Sequence, residues 1–199
     1  MPSNPEEHYH YTVNEWTNAV FTPLLEKLPP TIETVVDIGA NAGGFTEVLK
    51  RKYPSAEFYC FEPIEETYNY LKEKLPYAKC FQYGIFYGQT VSRAVWRGSN
   101  IGAYFVEHID AGDDKIITDM IMPLKELESF DIVPDLIKLD VEGAEVNIIE
   151  NSKLIKQTPY LIIEWHPDHI NPVDFFDKHL PKHKIVFHIE FKQFLLTLK

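Results

Sequence analysis

Residues 34–44, TVVDIGANAGG, decide the fold. A β-branched run, Thr34–Ile38, meets a glycine-rich break at Gly39–Gly44. Phe45, Val48, Leu49 and Tyr53 then recur at helical spacing until Pro54 stops the pattern. Strand, tight turn and helix open a βαβ unit, and the alternation continues outward. Glu57–Phe61 (EFYCF) reads as a second strand, Ile64, Tyr68, Leu71 and Leu75 as a second helical stripe ended by Pro76, and Ala78–Tyr83 as a third strand. Strands alternating with helices imply a parallel sheet wrapped by helices.

Further along, Ser92–Trp96 and Ile116–Met122 read as strands joined through a Gly-containing loop, an inserted hairpin-like excursion. The acidic stretch Glu107–Asp114 inside it reads as solvated loop. Leu136–Leu139 (LIKL) resumes as a fourth parallel strand, followed by a helix over Glu145–Glu150 and a fifth strand at Tyr160–Glu164. Phe175–Leu180 reads as a short helix, and Lys184–Glu190 with Phe194–Leu198 as a terminal antiparallel hairpin. Before Thr31 the pattern predicts a helix with Trp16, Val20, Phe21, Leu24 and Leu25 on one face, set off by Pro29-Pro30. The expectation is one domain over residues 1–199, with a helical flap at 1–30 and a core at 31–199. Its class is α/β, doubly wound, with a mostly parallel seven-stranded Rossmann-like sheet and an antiparallel terminal hairpin.

The chain has 199 residues, 45% of them hydrophobic, which suits a packed core and excludes a disordered chain. Its formal net charge of -11 repels phosphate backbones, so nucleic acid is not an expected partner. No apolar run is long enough to span a bilayer. The opening residues, MPSNPEEHYHYTVNEW, are too polar and acidic for a secretory signal, and a cytoplasmic location is expected. Cys60 and Cys80 lie in apolar stretches without metal-type spacing and read as free thiols of a reducing compartment.

In a doubly wound sheet ligands bind beyond the carboxyl ends of the strands. The residues there are unusually polar: Asp37 with Gly39, Asn41, Gly43 and Gly44; Glu62-Pro63; Asp140-Val141-Glu142; and Glu164-Trp165-His166. The first turn resembles a dinucleotide fingerprint, but Asn41 stands where a glycine would let the backbone approach a pyrophosphate. That argues against a nicotinamide dehydrogenase. S-adenosylmethionine is a nucleoside cofactor without a pyrophosphate, and Asp37 is placed to balance its positive charges. Glu62 sits where an acid accepts hydrogen bonds from both ribose hydroxyls.

Taken in order, DIGANAGGFT, YCFEP, LIKLDVEGAE and LIIEWHP resemble the FkbM-type S-adenosylmethionine-dependent methyltransferases, over roughly Val35 to His166. The resemblance implies a class I methyltransferase fold and an oxygen atom as acceptor. It implies that Asp37, Gly39, Asn41 and Gly43 line the methionine end of the cofactor. Glu62 would hold the ribose, Pro63 would shape the adenine site, and Gly84-Ile85 would lie beside the adenine. Asp140 belongs to both the cofactor and the acceptor side. The resemblance makes a sugar or glycan hydroxyl the leading acceptor, with a polyketide-type or other small-molecule alcohol behind it. The compact size and short ending add the expectation of a fused or associated glycosyltransferase.

On the acceptor side, methyl transfer to an alcohol is an in-line displacement that needs alignment and a proton acceptor or a metal. His166 is the best base by intrinsic pKa, with Asp140, Glu142 and Glu164 as alternatives. Asp140, Glu164 and His166 also have the chemistry of a divalent-metal site, although Asp140 and Glu142 equally suit a helix entry. Lys138, inside an apolar strand, needs an ionic partner. Trp165, Tyr9, Tyr11 and Trp16 are candidates for an apolar wall over a ring-shaped acceptor. A nucleic-acid amino-methylating enzyme would carry an N/D-P-P-Y/F segment where this chain has DVEG. A non-catalytic nucleoside-binding module is the remaining rival, and the polar residues Asp37, Glu62, Asp140 and Glu164 speak against it.

Overall fold

The computed structural model describes residues 4–97, 115–190 and 192–199. Its strands are β1 (Thr34–Ile38), β2 (Glu57–Phe61), β3 (Lys79–Phe81), β4 (Gly84–Ile85), β5 (Val91–Arg97), β6 (Lys115–Lys125), β7 (Leu136–Leu139), β8 (Tyr160–Glu164), β9 (His183–Ile189) and β10 (Gln193–Leu198). Seven of them form one sheet in the order β3-β2-β1-β7-β8-β10-β9. From β3 to β8 all neighbours run parallel, and β10 is antiparallel to both β8 and β9. The expected seven-stranded, mostly parallel architecture is therefore present, with the terminal hairpin inserted against β8. Strand order reverses between β1 and β7, and a crevice opens there at the carboxyl ends.

The central strands are covered on both faces, so they are apolar throughout instead of alternating. Val36, Ile38, Ile137 and Leu139 pack into one core layer with Phe61, Ile148 and Phe194. Val35 and Leu136 face the other layer, with Phe45, Leu49, Phe58 and Leu195. Helices α3 (Gly44–Lys52) and α4 (Glu65–Lys74) follow β1 and β2, α5 (Glu145–Asn151) and α6 (Lys153–Gln157) lie between β7 and β8, and α7 (Pro172–His179) precedes β9. Asn171 caps α7, its Oδ1 accepting the N–H groups of Val173 and Asp174.

Three sequence expectations change. The N-terminal helix is two helices, α1 (Pro5–Trp16) and α2 (Thr22–Glu26). Asn18 ends the first stretch: its Oδ1 accepts the N–H groups of Val20 and Phe21, holding a turn that side-chain periodicity does not reveal. Val20 is consequently 54% exposed, whereas Trp16, Phe21 and Leu24 join the core. The third strand ends at Phe81, because Gly84–Ile85 leaves it to pair in parallel with β6. Lys153–Gln157 adds a helix, capped by Ser152, whose Oγ accepts from Ile155. The inserted excursion is present as antiparallel β5 and β6, which with β4 form a separate three-stranded sheet. Its connecting loop, including Glu107–Asp114, lies outside the described residues. Cys60 and Cys80 are both free; Cys60 is buried and Cys80 half-buried. Among the described residues no helix is long and apolar enough to cross a membrane.

Candidate active site

The turn after β1 is built for close approach. Gly39 has φ +77, and a Cβ there would fall 1.8 Å from the Asp140 carbonyl oxygen. Only glycine lets β1 and β7 leave the sheet in such contact. Asn41 has φ +48 and steadies this left-handed conformation by accepting the Ala42 N–H at 2.7 Å. The Asn41 N–H donates to Glu62 Oε2 at 3.0 Å, and the Ile64 N–H donates to Glu62 Oε1 at 2.9 Å. Glu62 thus ties the turns after β1 and β2 together. Burial pushes its carboxyl up to about 7, against the pull of those two amides.

Asp37 and Lys138 lie below this turn. Asp37 is fully buried; its Oδ2 accepts from Thr46 Oγ1 at 2.7 Å, and its Oδ1 is 3.4 Å from Lys138 Nζ. Lys138 Nζ also lies 3.0 Å from Asp140 Oδ2 and donates to the Gly39 carbonyl at 2.9 Å. Burial disfavours the ammonium, but Asp140 and Asp37 outweigh it and hold the lysine above its ordinary range. The expected ionic partner of Lys138 is thus a pair of aspartates. The placement of Asp37 corrects one expectation: it braces the floor from beneath and does not line the crevice. Gly43 also sits outside it. Its φ is +87 and its α-carbon faces the Leu71 and Leu75 side chains, so it serves the turn.

Above lies a cavity of about 280 Å³. Gly39, Asn41, Glu62, Pro63, Gly84 and Ile85 line it, and Asp140, Glu142 and Glu164, beyond β7 and β8, give it an acidic end. Behind the acidic end, and not itself among the residues lining the cavity, His166 turns Nε2 toward Glu142 Oε2 (3.6 Å), Glu164 Oε1 (3.8 Å) and Asp140 Oδ1 (4.0 Å). Its Nδ1 lies 2.7 Å from Oε1 of the fully buried Glu145. Burial works against the imidazolium, but the Glu145 hydrogen bond and the charges of Glu145, Asp140 and Glu142 raise His166 to about 9. Glu164 is lifted to about 8, first by burial and then by the charge of Asp140. Burial also raises Glu142. Asp140, Glu164 and His166 each offer a donor atom within 4.8 Å of the others. Glu142 has φ +52, a strained conformation for a side chain of this size.

Helix α1 closes the cavity with His8, Tyr11, Thr12, Glu15 and Trp16. It sits directly on the start of α3: a Cβ on Gly44 would lie 2.6 Å from Thr12 Cβ and 2.8 Å from the Tyr9 carbonyl. Tyr11 and Trp16 therefore belong to the wall, as the sequence suggests. Tyr9 does not: it is buried with Tyr70, and the Lys74 ammonium stands 4.6 Å from its ring. Trp165 does not either. Its indole N–H donates to the Ile170 carbonyl, and its ring packs on Phe175 and Phe176 in the core. Sequence reasoning missed Glu15, and it placed Glu145 in the polar segment after the fourth strand without giving it a role. Glu145 did carry a signal, since it shares a helix face with the buried Ile148 and Ile149.

Residues 37–189 match the family model described as the methyltransferase FkbM domain. Over 46 residues the chain is 44% identical to the methyltransferase sdnD of Sordaria araneosa, a match spanning 23% of this chain and 18% of that protein. Among solved structures, the magnesium protoporphyrin IX methyltransferase of Synechocystis PCC 6803, with bound S-adenosylmethionine, aligns over 98% of this chain and 82% of its own, at TM-score 0.53 and 14% identity. A protein of Nostoc punctiforme PCC 73102, provisionally described as an O-methyltransferase, aligns over 98% of this chain and 58% of its own, at TM-score 0.54 and 11% identity. At such identities the structural likeness speaks to the fold, and the family match speaks to the chemistry. The chain belongs to the FkbM methyltransferase family.

Proposed function

We propose that this enzyme methylates a hydroxyl oxygen, with the cofactor along the Gly39–Ile85 end of the cavity and the acceptor at the acidic end. The observation that carries this reading is the setting of His166, whose Nε2 faces three cavity-lining carboxylates. The residues fit a sulfonium nucleoside. Both Glu62 oxygens are fixed by backbone amides, leaving lone pairs for a ribose diol, while Pro63, Gly84 and Ile85 line the same cavity and would border a flat base. When bound, the cofactor supplies an electrophilic methyl group. The protein aligns the acceptor oxygen with it, which accounts for about 7–11 kcal/mol of such a barrier. His166, in its neutral form, takes the hydroxyl proton at Nε2, and Asp140, Glu142 and Glu164 stabilise the imidazolium that results.

A divalent cation on Asp140, Glu164 and His166 is the second reading, favoured by their spacing. Lys138 already neutralises Asp140, and the imidazole prefers a proton, so we adopt the metal-independent base; turnover should survive exhaustive chelation. The acceptor class follows the family: a sugar or glycan hydroxyl first, a polyketide-type alcohol second. A glycan acceptor would suit a partner or fused glycosyltransferase, an expectation that a native protein of this chain length isolated without a partner would remove.

The test is calorimetric titration with S-adenosylmethionine and S-adenosylhomocysteine, with NAD as control, repeated on Glu62→Ala. Binding of both sulfur nucleosides, lost in the variant, is expected. Mass-detected methyl transfer to a panel of glycosides and alcohols then identifies the acceptor. Preferential binding of NAD would overturn the reading.

A further inference from the structure

We propose that Glu145 positions His166: it accepts a hydrogen bond from the ring Nδ1–H and thereby leaves the Nε2 lone pair turned toward the carboxylates of the cavity. This rests on the assignment of His166 as the proton acceptor.

The argument begins with the hydrogen bonds of one oxygen. Glu145 Oε1 accepts the N–H of Gly143 at 3.2 Å and the N–H of Val141 at 3.3 Å. An oxygen receiving two amide protons is an acceptor, whatever the state of the other oxygen. His166 Nδ1, 2.7 Å from the same oxygen, must then donate to it. A neutral imidazole carries one N–H, so its lone pair is on Nε2. That nitrogen is the one directed at Asp140, Glu142 and Glu164, the carboxylates lining the acidic end of the cavity.

Glu145 is suited to hold a ring still. It is fully buried in the first turn of α5, and its two amide bonds anchor it to the loop that leaves β7. Its second oxygen is buried with no hydrogen-bond partner among the described residues. The DVEGAE segment therefore presents its acids on two levels: Asp140 and Glu142 line the cavity, and Glu145 grips the imidazole from behind. The charged groups around His166 are Glu145 on α5, Asp140 and Glu142 on the preceding loop and Glu164 on β8, with Lys138 behind Asp140 and Glu15 of α1 across the cavity.

A purely structural Glu145, capping its loop, predicts no effect on the ring's chemistry. The experiment is nitrogen NMR of the full chain labelled at histidine, with His166→Gln identifying the resonance, followed across pH for the wild type, Glu145→Gln and Glu145→Leu. Glutamine keeps the carbonyl oxygen and loses the charge; leucine keeps the volume and loses the acceptor. In the wild type, neutral His166 should be the Nδ1–H tautomer, with a midpoint well above an ordinary histidine. Glu145→Gln should retain the tautomer while the midpoint falls by at least one pH unit, and Glu145→Leu should shift the ring toward Nε2–H. An Nε2–H wild type, or a tautomer and midpoint unmoved in both variants, overturns the proposal. If the leucine variant does not fold, the wild-type tautomer and the glutamine midpoint decide. No substrate is needed, so a failure to bind S-adenosylmethionine would remove the methyltransferase reading of the site and leave this result standing.

Discussion

Glu62 joins the first two turns of the sheet, and its replacement is the most direct probe of the cofactor end. Glu62→Ala removes a buried acceptor from two amides and from the ribose hydroxyls. With charge-assisted hydrogen bonds contributing about 1.5–3 kcal/mol each, S-adenosylmethionine affinity should fall at least tenfold in calorimetry, and by less in Glu62→Gln. His166 gives the second residue-scale prediction. Because neighbouring carboxylates raise it to about 9, it is protonated at neutral pH. A base must first lose that proton, so kcat/KM should climb as pH rises toward about 9 and then level. His166→Gln should abolish that limb. An unchanged pH profile in the variant would assign the proton to another group. Asp37→Ala would leave Lys138 with only the half-buried Asp140 as its close counter-charge, and a loss of about 3 kcal/mol in denaturant unfolding is expected.

At the scale of elements, α1 is the piece that makes a crevice into a cavity. Twelve residues are too few for a helix to be stable alone in water, so tertiary contacts hold it. Trp16 is the anchor, 4% exposed, with its ring centroid 4.5 Å from that of Phe45 and 4.7 Å from that of Phe21. Trp16→Ala should cost about 3–5 kcal/mol and release α1 first. Gly44→Val acts from the other side, since Thr12 and the Tyr9 backbone occupy the space of its Cβ. In that variant, amide exchange over residues 5–16 should accelerate while β1 and β7 stay protected. Equal acceleration throughout would show that α1 is no separate closing element.

For the whole molecule, the buried and half-buried titratable groups around the cavity set a pH dependence of stability. Glu62 and Glu164 have folded values of about 7 and about 8 against 4.5, and His166 about 9 against 6.5. All three bind a proton more tightly folded than unfolded, so their stabilisation is full at low pH and is lost as pH rises through the folded values. Thermal midpoints of the ligand-free protein should therefore decline between about pH 5 and pH 9, by a few kcal/mol in free energy. Glu62→Gln should flatten the part below about pH 7. A midpoint that rises over this range would contradict the burial of these groups. The formal net charge of -11 acts in the same direction through self-repulsion, and added salt should raise the midpoint at high pH.

The sequence by itself determined the parallel sheet, because apolar runs bounded by Gly and Pro at βαβ spacing have few other ways to bury both faces. It also determined the polar strand ends, since a doubly wound sheet delivers Glu62, Asp140 and Glu164 to one edge wherever β2, β1, β7 and β8 are neighbours. The turn at Asn18 and the departure of Gly84–Ile85 to a second sheet were not legible, because local hydrogen bonds and distant pairing partners leave no periodicity. Only the tertiary structure decided that Asp37 lies beneath the cavity and not within it, for its depth depends on Lys138 of the neighbouring strand. The same is true of α1 as the cavity wall and of Glu145 behind His166. Those placements arise from contacts between segments far apart in the chain, where side-chain chemistry names the candidates and packing assigns their roles.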